Sequence, residues 1–126
     1  MNVFCKEFSK NIIERKTETT DKIDDDGNFF CSHCNNLITS QNYQIKMNDS
    51  HKHTFPNPHG IVFEIGCFKE AMGCTAMKES FYEFSWFSGY NWRIAVCNSC
   101  LNHLGWLFCS DSYSFFGLIL EKIYYN

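Results

Sequence analysis

Positive charge is not in excess in this chain: 11 Lys and Arg stand against 14 Asp and Glu, a net charge of −3, and the basic residues are scattered. A nucleic-acid partner calls for a basic face that neutralises phosphates, so this balance argues against that class. Long apolar runs are missing as well. Residues 1–16 are interrupted by Lys6, Glu7, Lys10, Asn11, Glu14 and Arg15, too polar for a secretory leader, and no stretch approaches the length of a membrane span. The expected location is therefore cytoplasmic, where thiols stay reduced and paired cysteines bind metal more often than each other. After residue 28 no amphipathic helix of ordinary length is legible, and there is neither an internal repeat nor a low-complexity tract. Proline is confined to two positions, Pro56 and Pro58.

What is present in quantity is aromatic. Aromatic residues make up 17% of the 126 residues, beside ordinary shares of hydrophobic (44%) and charged (20%) residues. That length suits one domain with a modest core. Residues 1–28 read as a polar N-terminal extension: Phe4, Phe8, Ile12 and Ile13 line one face of a short helix, and an acidic, disordered linker follows. The domain spans 29–126. Its short β-rich runs fall at 29–34, where a strand enters a knuckle, and at 37–47, 61–68, 81–86, 92–96, 104–109 and 115–123. Residues 51–60 read as a loop because of their prolines and glycine, 69–80 as a loop with at most one helical turn, and 87–91 as a turn around Gly89. Short strands separated by turn signals predict an all-β fold.

Two features carry chemistry. Cys31-x-x-Cys34 and Cys97-x-x-Cys100, 62 residues apart, are two knuckles that together complete a tetrahedral all-thiolate site for one zinc ion. Such a closed site leaves no position for a catalytic water, so the expected role is structural. Disulfides or unrelated buried thiols are the alternatives. Cys5, Cys67, Cys74 and Cys109 lack x-x spacing to any partner and read as buried or incidental thiols.

The second feature is Trp86, Trp92 and Trp106, all the tryptophans of the chain within 21 residues. Trp86 and Trp92 flank a turn, and Trp106 follows the second knuckle. Three indoles set at right angles make a box that takes either a methylated ammonium by cation–π attraction or a neutral ring read at its polar edge. A core role for all three is the competing reading. The polar and turn residues around them (Ser85, Ser88, Gly89, Tyr90 and Asn91) and the stiff Asn57-Pro58-His59-Gly60 loop favour a mouth over a core. Glu83 is the only carboxylate close in sequence, which disfavours a cation. His51 and His53 read as a solvated stretch, and His103 as a residue behind the pocket bonded to a backbone carbonyl.

Phe84-Ser85-Trp86-Phe87-x-Gly89-Tyr90-x-Trp92, Cys97-x-x-Cys100, and His103-x-Gly105-Trp106-x-Phe108 resemble the CULT domain, the thalidomide-binding domain of cereblon. Asn57-Pro58-His59-Gly60 is similar to its ligand-facing loop, and Phe115-Phe116-Gly117-Leu118 to its final strand. The resemblance covers about residues 29–126 and is closest to the single-domain bacterial members. It implies a β-tent, two roughly orthogonal antiparallel sheets pinned by the four-cysteine zinc. It implies that Trp86, Trp92 and Trp106 cage a glutarimide, a thalidomide-like ligand or a related neutral ring, with Phe108 at the base. The imide edge would meet the backbone of Phe84 and Trp86 beside Ser85, and Asn57 and Pro58 would reach the outer part of the ligand. Cereblon carries His where Phe84 stands. No ubiquitin-ligase attachment segment is recognised.

The expected partner is thus a small cyclic imide or nucleoside-like molecule, or a modified protein terminus, with no nucleic acid and no membrane. Alternatives are a reader of methylated ammonium and a methionine-sulfoxide-reductase-like enzyme. The latter needs a reactive cysteine near an Arg or His; Cys109 is a candidate without a base, so the chain reads as a non-enzyme.

Overall fold

The computed structural model describes residues 27–126. The helix expected on Phe4, Phe8, Ile12 and Ile13, and Cys5, lie outside the described residues. The described chain runs β1 (Asn28–Cys31), β2 (Leu37–Ser40), β3 (Lys52–Pro56), β4 (Val62–Phe68), β5 (Cys74–Ala76), β6 (Asn91–Cys97), β7 (His103–Cys109), β8 (Ser114–Ile119) and β9 (Ile123–Tyr125). Two 3-10 turns, Gln41–Tyr43 and Leu120–Lys122, complete it. The all-β reading holds: two antiparallel sheets form, a small one ordered β2-β1-β9 and a large one ordered β3-β4-β8-β7-β6-β5.

The large sheet organises the molecule because both of its faces are covered. Side chains alternate along a strand, so one strand feeds two layers. In β8, Phe116 and Leu118 join the layer that contains Cys31, Ile38 and Ile123 of the small sheet. Phe115 and Ile119 join the opposite layer, with Ile65, Cys67, Phe87 and Phe108. Every residue of β8 is buried, as a central strand covered on both faces must be. In β6 the alternation is plain: Asn91, Arg93, Ala95 and Cys97 are buried, while Trp92, Ile94 and Val96 are half-buried on the other face.

Several local expectations are corrected. Residues 51–60 contain a strand, β3, because Lys52 to Pro56 pair in register with Gly66 to Val62 at the sheet edge. Proline is tolerated there, since an edge strand leaves one side without a ladder partner. The 37–47 strand stops at Ser40, whose Oγ accepts from the Asn42 N–H and turns the chain into the first 3-10 segment. Residues 69–80 hold β5 and no helical turn. The 81–86 strand is reduced to a single bridge, Phe81 to Trp92. Phe84 has φ +61°, a left-handed backbone that no strand accommodates. The final 115–123 strand is divided, with β8 in the large sheet and β9 in the small one.

Candidate functional site

The four expected metal ligands come from both sheets. Cys31 ends β1 and Cys34 lies in the turn beyond it; Cys97 ends β6 and Cys100 lies in the turn towards β7. Their four Sγ atoms all lie within 4.8 Å of one another. Cys31 Sγ is 3.7 Å from Cys100 Sγ, and Cys34 Sγ is 3.6 Å from Cys97 Sγ. A tetrahedron with Zn–S bonds of about 2.3 Å has edges of about 3.8 Å, so the cluster has the size of a site for one such ion.

The two knuckles are built alike. Cys31 N–H donates to Asn36 and Asn35 N–H to Cys31; correspondingly, Cys97 N–H donates to Asn102 and Leu101 N–H to Cys97. Asn35 and Leu101 occupy the same left-handed turn position, with φ of +67° and +66°. Burial pushes the Cys31 thiol up to about 12, against the pull of the Cys34 and His33 N–H groups. Burial also pushes Cys97 up, but the N–H groups of Cys100 and Ser99, with the Cys34 and Cys100 thiols, outweigh it and bring that thiol to about 7. Part of the cluster is therefore poised as thiolate, the form that binds metal. These cysteines fit a metal ion by number, spacing and chemistry.

The tryptophans line a cavity of about 410 Å³, together with Asn57, Pro58, Phe63, Phe84, Ile94, His103 and Phe108. Its base is made by strand register: Trp92 stands opposite Phe108, and Ile94 opposite Trp106, on adjacent strands. Trp106 in turn stands opposite Gly117. A Cβ at Gly117 would come within 2.9 Å of Phe108 Cε2, so glycine leaves that ring its space. Trp86 and Trp106 meet edge to face, with centroids 4.8 Å apart and planes at 76°. Trp86 stacks on Phe55 at 4.9 Å, and its Nε1–H donates to the Pro56 carbonyl at 3.0 Å. Trp92 packs on Phe81 at 4.6 Å and donates from Nε1 to the Glu83 carbonyl at 2.8 Å. Phe63 and His103 approach Trp106 edge to face at 5.3 and 4.9 Å.

The segment 82–90 that carries Phe84 and Trp86 is held down by Phe87. That ring is 2% exposed and packs against His53, Phe55, Phe108 and Phe115. Ser85 is the one expected site residue that does not line the cavity. Its hydroxyl donates to the Phe87 carbonyl and accepts from the Phe87 N–H, which shapes the loop instead. Asn57 lines the cavity, but its Oδ1 is taken by the N–H groups of His59 and Ile61. By contrast, the backbone N–H and C=O groups of Phe84 and Trp86 have no partner among the described residues. His103 lines the cavity and does not sit behind it as expected, while the expected carbonyl bond forms, from Nε2 to Gly105 at 3.0 Å. Burial is the main cause that lowers its pKa, aided by Lys122 and opposed by the Gly105 carbonyl.

Sequence reasoning missed Phe63, Ile94, Phe55 and Phe87. Ile94 was findable, two residues from Trp92 and so on the same strand face. The others come from β3, β4 and the loop, whose approach to the cage no local signal encodes. Cys67 and Cys74 are buried and free, and burial raises both thiols. Cys109 is buried but is not a free thiol, which corrects its reading as an incidental one. No helix among the described residues is long and apolar enough to cross a membrane.

No family model matches the chain. Cereblon of Drosophila melanogaster is 33% identical over 85 residues, 64% of this chain and 14% of that protein. Cereblon of Xenopus tropicalis is 34% identical over 80 residues, 62% of this chain and 18% of that protein. Cereblon of Gallus gallus is 41% identical over 54 residues, 43% of this chain and 12% of that protein. The chain thus spans less than a fifth of the length of these relatives. Similarity over this partial region, in a chain with two antiparallel sheets and a four-cysteine cluster, identifies a cereblon-like domain.

Proposed function

We propose that this domain is a CULT-type small-molecule binding module whose cage takes a neutral cyclic imide, with zinc in the four-cysteine cluster as a structural ion. One observation carries the reading. The cavity is walled mainly by aromatic rings, and two of its lining residues, Phe84 and Trp86, have backbone N–H and C=O groups without a partner among the described residues. Such groups can exchange water for a ligand, and an imide edge of alternating carbonyl, N–H and carbonyl offers both kinds of partner. The walls supply the apolar contact.

A cation is a poorer match. None of the lining residues is acidic, and His103, the one titratable side chain among them, is kept neutral by burial. Glu83 meets Trp92 through its backbone carbonyl. The same inventory favours binding over catalysis, because the lining offers neither a nucleophile nor an acid–base pair.

The test is calorimetric titration of the zinc-loaded chain with glutarimide and, separately, trimethyllysine. Glutarimide should bind saturably, and folded Trp106→Ala should weaken it by roughly 30-fold or more, the loss expected for an anchoring aromatic. Binding of trimethyllysine alone would make the domain an ammonium reader. Heat from neither would sink both readings.

A further inference from the structure

Cys74 stands beside the four-cysteine cluster without belonging to it. It opens β5 directly opposite Cys97, the ligand that ends β6, so both side chains leave the same face of the sheet. Both are buried free thiols in the layer that also holds Cys31. The kind of pair follows from the bonds on either side of it. Asn98 N–H donates to the Gly73 carbonyl, and Met77 N–H to the Ile94 carbonyl. Hydrogen-bonded and non-hydrogen-bonded pairs alternate along an antiparallel ladder, so Cys74 and Cys97 are a non-hydrogen-bonded pair. The Cα atoms of such a pair lie about 4.5 Å apart, within the roughly 4.4–6.8 Å that a disulfide spans.

The backbone holds this pair in place. Asn98, next to Cys97, grips three residues around Cys74. Its N–H reaches the Gly73 carbonyl, its Nδ2 donates to the Met72 carbonyl at 3.0 Å, and its Oδ1 accepts from the Thr75 hydroxyl. From the other side, Gly73 N–H donates to the Ile38 carbonyl, and a Cβ at Gly73 would strike the Leu37 carbonyl. Strand β5 is thereby tied both to the second knuckle and to β2.

Resting on the structural-zinc reading above, we propose that Cys74 and Cys97 form a reversible oxidation site that competes with the metal. Cys97 Sγ serves either as a thiolate ligand or as half of a disulfide. The disulfide leaves the cluster with three ligands, too few to close a structural site. Entry is at Cys34, which is half-buried and whose Sγ is 3.6 Å from that of Cys97. The oxidant is a low-molecular-weight disulfide such as glutathione disulfide. The Cys34 thiolate attacks one of its sulfurs and one thiolate leaves; the Cys97 thiolate attacks the Cys34 sulfur and the second leaves. Cys74 then displaces Cys34 from Cys97, and its proton passes to the Cys34 sulfur set free. One S–S bond has broken in the oxidant and one has formed in the protein. The exchange replaces a link between the two sheets by a link inside the large one, across the loop that carries Trp86.

The experiment equilibrates the full zinc-loaded chain in glutathione buffers of rising oxidised fraction. A chromogenic chelator reads released zinc, and mass spectrometry after alkylation maps the disulfides. Zinc should leave in step with a Cys74–Cys97 disulfide and return on reduction. Folded Cys74→Ala should hold its zinc to a ratio of oxidised to reduced glutathione roughly tenfold higher. Three results would overturn the inference and leave structural zinc intact: zinc retained at every ratio, zinc lost at the same ratio from variant and wild type, or zinc lost while Cys74 stays a free thiol and the disulfides lie among the four ligands. The wild-type map does not depend on how the variant folds. A fully reduced chain that takes up no zinc would remove the metal reading and this inference together.

Discussion

The cysteine cluster and the aromatic cavity are shaped by opposite means. At the cluster, backbone does the shaping: two turns repeat the same hydrogen bonds and the same left-handed residue, and four sulfurs meet where the sheets adjoin. At the cage, side chains do it. Phe55, Phe63, Phe87 and Phe108 hold the indoles, and the loop that brings Trp86 has few backbone bonds of its own. A backbone-built site depends on a few residues absolutely; a packing-built site depends on many residues by degrees.

Breaking the cluster should therefore have the largest effect. Removing the metal with a chelator, or Cys97→Ser, should abolish cooperative folding, since structural zinc contributes on the order of 10 kcal/mol in small domains. Circular dichroism during chelation reads this, and a fold that survives would show that the sheets do not need the metal. Next is Phe87→Ala, at about 3–5 kcal/mol for a buried Phe. Denaturant unfolding should register that loss, and imide binding should fall with it while zinc stoichiometry stays at one. Loss of zinc together with binding would mean that the two regions are not separable.

Smaller effects sharpen the contrast. Leu101 is 69% exposed at a left-handed position that its counterpart Asn35 fills with a better-suited residue. Leu101→Asn should stabilise the domain by about 1 kcal/mol without changing ligand affinity. Phe84→Asn relieves the same kind of backbone cost but removes a cavity wall, so stability should rise while imide affinity falls. The smallest expected effect is on pH dependence. Burial, aided by Lys122, lowers the pKa of His103, so below 6.5 the unfolded chain takes up a proton that the folded one resists. Stability should drop as pH falls from 6.5 towards the folded-state value, less steeply in His103→Gln. Identical slopes would deny His103 that role.

The same contrast explains what was legible in the sequence. Cys-x-x-Cys spacing is a local rule with one geometric outcome, so both knuckles were readable. Strands β4, β6 and β7 were readable from alternation, and Trp92, Trp106 and Phe108 came with them. Strand β3 was hidden by prolines that an edge strand tolerates, and with it went Phe55, the ring on which Trp86 stacks. Residues 81–86 read as strand because aromatic residues favour sheets, while their shape is set by Phe84's left-handed backbone and by Ser85. Ser85 was placed in the site for its position in a motif; its hydroxyl is spent on the loop that presents its neighbours.

All three tryptophans of the chain line one cavity. Intrinsic emission is thus a private optical channel to the cage, with no indole elsewhere to dilute it. The near-perpendicular pair Trp86 and Trp106, 4.8 Å apart, should couple their excited states and give a near-ultraviolet dichroic couplet. Light alone can then follow events at the cavity, while a cobalt-substituted cluster would report in the visible on the other region of the same molecule.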